Sequence, residues 1–233
     1  MKPKQLLLLG MVVLTLAGCA TEKRNATSKS SPRREDTEWL DVWVPDTNAR
    51  GLPRVLLIGD SITYGYYPKV QAQLKSQAYV ARLATSASAG DPALLDQVAL
   101  VLRHTKFDVI HLNNGLHGLG YTEAQYGREY ANLLDLICRL APQARLILAT
   151  STPMRQGKDM TEFNPATARV RARNQIVKEL ASQRDLPVDD LFALVVDEPS
   201  FYAGGDGVHL VAKGKSAQAA QVAAEVRKLL PAK

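Results

Sequence analysis

Cysteine is scarce: the 233-residue chain holds only Cys19 and Cys138. Cys19 falls in the N-terminal leader, so no internal disulfide is available. Histidine is also sparse, and His104, His111 and His117 make no ligand spacing with His209. No metal centre is expected on that count, and no organic cofactor is implied. The body has no Lys/Arg stripe interleaved with aromatics, which excludes nucleic acid as a partner. The net charge of +6 owes part of its size to the leader and the segment after it. No internal repeats occur, and residues 37–233 suffice for one sizeable domain.

What is present begins with an export pattern. Lys2 and Lys4 precede an apolar stretch from Leu6 to Leu16, short for a membrane span. Leu16-Ala17-Gly18-Cys19 follows, with small residues before a cysteine. This tetrapeptide resembles the bacterial lipobox. The resemblance implies that residues 1–18 are removed and that Cys19 is lipidated. The protein would then be held at a membrane of the cell envelope, each buried methylene contributing roughly 0.8 kcal/mol. Ala20, rather than Asp, after the cysteine implies the outer membrane. Residues 19–36 read as a tether, because Thr21 to Arg34 is polar and basic without apolar periodicity and cannot bury a core.

Residues 37–53 form a lead-in whose Trp39 and Trp43 are expected to pack it onto the domain. Beyond it, short apolar runs predict buried strands at Arg54–Ile58, Tyr79–Leu83, Val109–Leu112, Arg145–Thr150 and Pro187–Asp189. Amphipathic stretches between them predict helices. Pro68–Gln77 and Pro92–Arg103 each place proline at the first position. Glu123–Leu140 has Thr122 as cap and Gln125 placed for a capping box. Thr167–Gln183 and Ala212–Leu230 complete the set. Cys138 falls in the apolar pattern of Tyr130, Leu133, Leu134 and Ile137, which predicts a buried structural thiol. The alternation predicts a doubly wound parallel sheet with helices on both faces. In such sheets the site lies beyond the carboxyl ends of the strands.

Chemistry concentrates at two places. Gly59-Asp60-Ser61-Ile62-Thr63 directly follows the run Val55–Ile58, so a buried strand ends in a turn that presents a serine. A serine hydroxyl alone is a poor nucleophile; it needs a base within reach and donors for the oxyanion. A strand-to-helix turn offers free N–H groups, Ser61's own among them. Near the other end stands Asp206-Gly207-Val208-His209, flanked by Gly204, Gly205 and Gly214. There an imidazole can take the serine proton and a carboxylate can hold its tautomer. Asp60 is expected to be structural and His111 a satisfied core histidine. Tyr64, Tyr66 and Tyr67 either line a cleft or pack, and the loop from Arg155 to Pro165 is a candidate lid or wall.

The order Gly-Asp-Ser near the first strand and Asp-x-x-His near the end is similar to the SGNH (GDSL-type) hydrolase superfamily, over roughly residues 53–230. The resemblance implies a flavodoxin-like three-layer α/β/α sandwich around a central, mostly five-stranded parallel sheet. It implies Ser61 as nucleophile, His209 as base and Asp206 as its orienting acid. It further implies an oxyanion hole built from the serine N–H, a glycine N–H and an asparagine side chain. Ser88-Ala89-Gly90-Asp91 resembles the glycine block, which makes Gly90 the backbone donor. The third block departs from the family's Gly-x-Asn-Asp and reads Asn113-Asn114-Gly115-Leu116-His117-Gly118. Aligned on the glycine, Gly115 keeps its place, His117 takes that of the asparagine, and Gly118 replaces the Asp. Either His117 or Asn114 would then complete the hole.

These readings give an exported, lipid-anchored serine esterase working through an acyl-Ser61 intermediate. No long apolar loop suggests a fatty-acyl tunnel, which favours short acyl groups such as O-acetyl on a carbohydrate or small molecule. A lysophospholipase or thioesterase of the same superfamily is the rival enzyme. A non-catalytic envelope-binding module on a hydrolase scaffold is the rival class, with the altered third block as its support.

Overall fold

The computed structural model describes residues 34–202 and 204–231; the leader, Cys19 and most of the tether lie outside them. The first strand, β1 (Leu40–Trp43), lies within the lead-in, where the sequence reading placed no strand. The five predicted strands follow as β2 (Arg54–Gly59), β3 (Tyr79–Thr85), β4 (Val109–Asn113), β5 (Arg145–Ala149) and β8 (Val188–Asp189). They form one sheet in the order β1-β3-β2-β4-β5-β8. All pairings are parallel except that of β1 with β3. The expected five parallel strands are present, with an antiparallel edge added. A small ribbon of β6 (Arg155–Gln156) and β7 (Glu162–Phe163) forms in the predicted loop.

Helices cover both faces. Those on one side are α2 (Pro92–His104), α3 (Glu123–Leu140) and α4 (Thr167–Gln183), which pack over Leu56, Ile58, Ile110, Leu112 and Leu148. On the other side, α1 (Ser61–Leu74), α6 (Ala212–Leu229) and the short α5 (Leu191–Val195) pack over Val55, Leu57, Val109 and Ile147. Alternate residues of each strand therefore serve opposite cores, as a sheet covered on both faces requires. Thr122 and Gln125 make the expected capping box at α3, and Pro92 opens α2 after the Asp91 cap. Among the described residues no helix is long and apolar enough to cross a membrane.

Three expectations are corrected. Helix α1 starts at Ser61, seven residues before Pro68, which lies inside it. The Asp60 side chain accepts from Ile62 N at 2.8 Å, and that cap starts the helix early. Cys138 is exposed: it follows the buried Ile137 by one residue, a turn of about 100° that carries it off the apolar stripe. Trp43 is 55% exposed and does not pin the lead-in. That task falls to β1 pairing and to Trp39, whose N–H donates to Ser86 Oγ and whose carbonyl accepts from Thr85 Oγ1.

Candidate active site

Ser61 is the first residue of α1, at the carboxyl end of the central strand β2. As a first-turn residue it has an N–H with no partner inside the helix. The Ser61 hydroxyl donates to His209 Nε2 at 2.8 Å, and His209 Nδ1–H donates to Asp206 Oδ2 at 2.6 Å. The tautomer follows from the carboxylate, which can only accept, leaving Nε2 of the neutral ring to accept from the serine. Asp206 Oδ1 accepts from Val208 N at 2.9 Å and His209 N at 2.8 Å. Partial burial pushes the Asp206 pKa up. The N–H and imidazole of His209 and the Val208 N–H outweigh it and hold the value at about 2.

The loop carrying this pair is braced from behind. The Arg155 N–H donates to the Gly207 carbonyl at 2.7 Å. The buried Arg155 guanidinium donates to the carbonyls of Met160, Thr161 and Val196 and stacks near Phe163 and Tyr202. The ribbon of β6 and β7 is thus a buttress for the Asp-His loop. The site itself is open: the side chains of His209 and Asp206 are 47% and 56% exposed.

The two loops expected to supply oxyanion donors are held differently. Gly90 N–H donates to the Tyr121 hydroxyl at 3.0 Å, so the expected backbone donor is capped by a phenol. The Asn114 amide is engaged at both ends: its Oδ1 accepts from Ala89 N at 2.9 Å and its Nδ2 donates to the Ala87 carbonyl at 3.1 Å. It ties the β3 and β4 loops together on the α3 side. His117 is part-buried, with Nδ1 at 3.4 Å from Glu35 Oε1. It lies close enough to Asp60 for its charge to act on that carboxyl. From beneath, the buried Arg173 guanidinium donates to the carbonyls of Gly115, His117 and Gly118 at 3.0, 2.6 and 2.7 Å.

Asn113, passed over by the alignment on Gly115, ends β4 next to the strand that carries Ser61. It alternates with Val109 and His111, which face the α1 and α6 side: Val109 packs there, and His111 bonds Asp189, itself bonded by Gln221 of α6. Asn113 Nδ2 spends one N–H on the Ala149 carbonyl at 3.1 Å; an amide has a second. Counting from the strand end rather than from the glycine places Asn113-Asn114 at the Asn-Asp of the family pattern, and that signal was available in the sequence.

Asp60 caps α1 and is buried. His111 is fully buried with Nε2 2.9 Å from Asp189 Oδ2. Tyr66 and Tyr67 are packing residues, and only Tyr64 is exposed. Among the described residues no group of three His, Cys, Asp or Glu side chains is placed to hold a metal.

A family model, the GDSL-like lipase/acylhydrolase family, matches residues 57–217. No curated protein sequence matches the chain. Among solved structures, the chain is similar to a GDSL-like lipase from Bacteroides thetaiotaomicron (18% identity, TM-score 0.58, covering 76% of this chain and 88% of that one). It is also similar to a carbohydrate esterase family 3 protein from Talaromyces cellulolyticus (19%, TM-score 0.60, 76% and 98%). A third is an acetyl xylan esterase (20%, TM-score 0.58, 74% and 99%). At these identities the structures speak to the fold, a three-layer sandwich of the same kind.

Proposed function

Because this chain belongs to the GDSL-like lipase/acylhydrolase family and is a carboxylic ester hydrolase, we propose that it removes short acyl groups, O-acetyl foremost, from carbohydrate esters. The observation that carries the reading is the unbroken hydrogen-bond chain from Ser61 through His209 to Asp206.

In this reading Ser61 Oγ attacks the ester carbonyl while His209 Nε2 takes its proton. Asp206, ionised over the whole working range because its pKa is held at about 2, stabilises the imidazolium and keeps the ring in register. The imidazolium then gives the proton to the leaving alkoxide oxygen. Water deprotonated by the same nitrogen attacks the acyl-serine and releases the acid. The oxyanion is met by the Ser61 N–H, by the Gly90 N–H once the Tyr121 hydroxyl moves aside, and by Asn113 rather than Asn114. Removing one such donor costs about a hundredfold or more in turnover.

Two features support a short acyl group on a bulky alcohol. The Asp-His pair is open to solvent, so a polymer can approach it. The loops around the serine are built from small residues, Ser88, Ala89, Gly90, Gly115 and Gly118, and bring no long apolar side chain that could wall a tunnel for a fatty acyl chain. Similar folds occur in proteins described as a carbohydrate esterase and an acetyl xylan esterase. Export belongs to the same reading: acylation of Cys19 at the lipobox-like Leu16-Ala17-Gly18-Cys19 would place the site in the cell envelope. Incorporation of a labelled fatty acid that disappears in Cys19→Ser tests that part.

The test of the chemistry is hydrolysis of p-nitrophenyl esters from acetate to decanoate by the full-length protein. Activity highest on acetate is expected, with Ser61→Ala reducing it to background. Asp206→Asn should lower kcat by about 10⁴-fold with little change in KM, through loss of the correct tautomer. A long-chain optimum would move the substrate to lipids, and full activity in Ser61→Ala would remove the serine mechanism.

A further inference from the structure

The residues just before the sheet do more than lead into it. Arg34 to Trp39 run as a strap across the carboxyl ends of the strands and bond to both oxyanion loops. On the β3 loop, Arg34 Nε lies 3.2 Å from Asp91 Oδ2, beside Gly90. Glu38 Oε2 accepts from Ser86 Oγ at 2.7 Å. On the β4 loop, Glu35 Oε1 accepts from the Gly118 N–H at 2.8 Å and lies 3.4 Å from His117 Nδ1. The strap holds its own shape through the Glu35 N–H, which donates to Glu38 Oε1 at 2.8 Å.

The His117 loop is therefore gripped twice. Arg173 fixes its backbone from inside the domain through three carbonyls. Arg173 does nothing to set the imidazole, since it reaches only main-chain oxygens there. Beside the ring stands Glu35, whose Oε1 lies 3.4 Å from Nδ1. Asp60, the residue before the nucleophile, is near enough for His117 to lower its carboxyl pKa against the rise that burial imposes. The charged groups near this loop are thus Glu35 from the strap, Asp60 from the serine turn, and Arg173 behind the backbone. Between β4 and Gly118, His117 is the part-buried polar side chain, while Asn113 and Asn114 are buried.

We propose that Glu35 is a positioning residue for ester hydrolysis, acting through His117. It makes the sequence that joins the tether to the domain part of the active-site scaffold, although that sequence reads as linker. The proposal rests on the esterase reading above. A group that orients a side chain for the transition state lowers kcat and kcat/KM together. Loss of the carboxylate that accepts from the Gly118 N–H and stands beside His117 then corresponds to about a tenfold fall or somewhat more.

The experiment is a double-mutant cycle in the full-length protein, with p-nitrophenyl acetate kinetics, thermal unfolding and fluorophosphonate labelling of Ser61. Glu35→Ala is expected to lower kcat about tenfold with KM changed less than twofold. Glu35→Gln keeps an oxygen for the Gly118 N–H but loses the charge facing His117, and should fall between Glu35→Ala and wild type. In a His117→Ala background, Glu35→Ala should have no further effect on kcat, because its route is gone. An unchanged kcat in Glu35→Ala, or effects that simply multiply in the double variant, would overturn the proposal while labelled Ser61 leaves the esterase reading standing. A kcat loss that tracks a fall in unfolding temperature across all the variants would reduce Glu35 to a structural brace and overturn it as well. Failure of wild type to label at Ser61 would overturn the esterase reading, and this proposal with it.

Discussion

The backbone carbonyl of Arg155 fills the space a β-carbon on Gly207 would need: that carbon would lie 2.0 Å from the oxygen. Gly207 also has a φ of +81°, which a side chain disfavours by about 1–3 kcal/mol. Both constraints come from one arrangement, the Asp-His loop pressed flat on the ribbon of β6 and β7.

Gly207→Ala therefore cannot relax locally, and the loop must lift off Arg155. The His209 and Asp206 side chains move with it, and a misplacement near 1 Å costs on the order of a hundredfold in rate. The expected outcome is a folded protein with kcat reduced by about that factor. Circular dichroism with p-nitrophenyl acetate kinetics checks it; wild-type turnover would show that the buttress does not set the geometry.

Tyr121 offers a prediction of the opposite sign. Its hydroxyl accepts from the Gly90 N–H, and its ring lies against the Cα of Gly90 and of Gly118, where added β-carbons would come within 2.9 and 2.4 Å of it. A substrate carbonyl must displace that hydroxyl to use the N–H, at a net cost near 1 kcal/mol for a neutral hydrogen bond. Tyr121→Phe keeps the ring and frees the donor, so kcat/KM for p-nitrophenyl acetate should rise about fivefold. A fall would mean that the phenol itself donates to the oxyanion.

The layout of strands and helices was legible because it rests on burial. Continuous apolar runs such as Val55–Ile58 and Val109–Leu112 leave few alternatives once both faces are covered. The meeting of Ser61, His209 and Asp206 was legible because a serine nucleophile would need those side-chain types together. Other features depend on contacts that local pattern does not encode. β1 exists because β3 offers it a free edge, and its exposed Leu40, Val42 and Trp43 carry no buried-strand signature. Asn113 and Asn114 are chemically identical neighbours, and only the strand register separates them, sending one toward α1 and the other to Ala87 and Ala89. Glu35 sits in a polar, basic stretch, and its partners His117 and Gly118 lie more than eighty residues away. Cys138 escapes the apolar pattern because a one-residue step around a helix moves a side chain from core to solvent.

Asp60 provides a stability prediction with a definite sign. Burial raises its pKa, with His117 and His209 pulling it partway back down. Its Oδ1 caps α1 by accepting from Ile62 N. A carboxyl whose folded pKa lies above its unfolded value of about 3.9 holds its proton more tightly in the folded state. Its contribution is fully present below that value and is lost as pH rises from about 4 through the folded pKa. Asn at this position keeps the capping oxygen and never ionises, so Asp60→Asn escapes that loss. The unfolding temperature of Asp60→Asn should match wild type near pH 3 and exceed it increasingly as pH rises toward 7. Asp60→Ala should lie about 1 kcal/mol below Asp60→Asn at every pH, because the cap itself is gone. The reverse trend, with wild type gaining on Asp60→Asn as pH rises, would mean that His117 and His209 hold Asp60 as the anion. The carboxylate would then belong to the electrostatics of the site as well as to the helix cap.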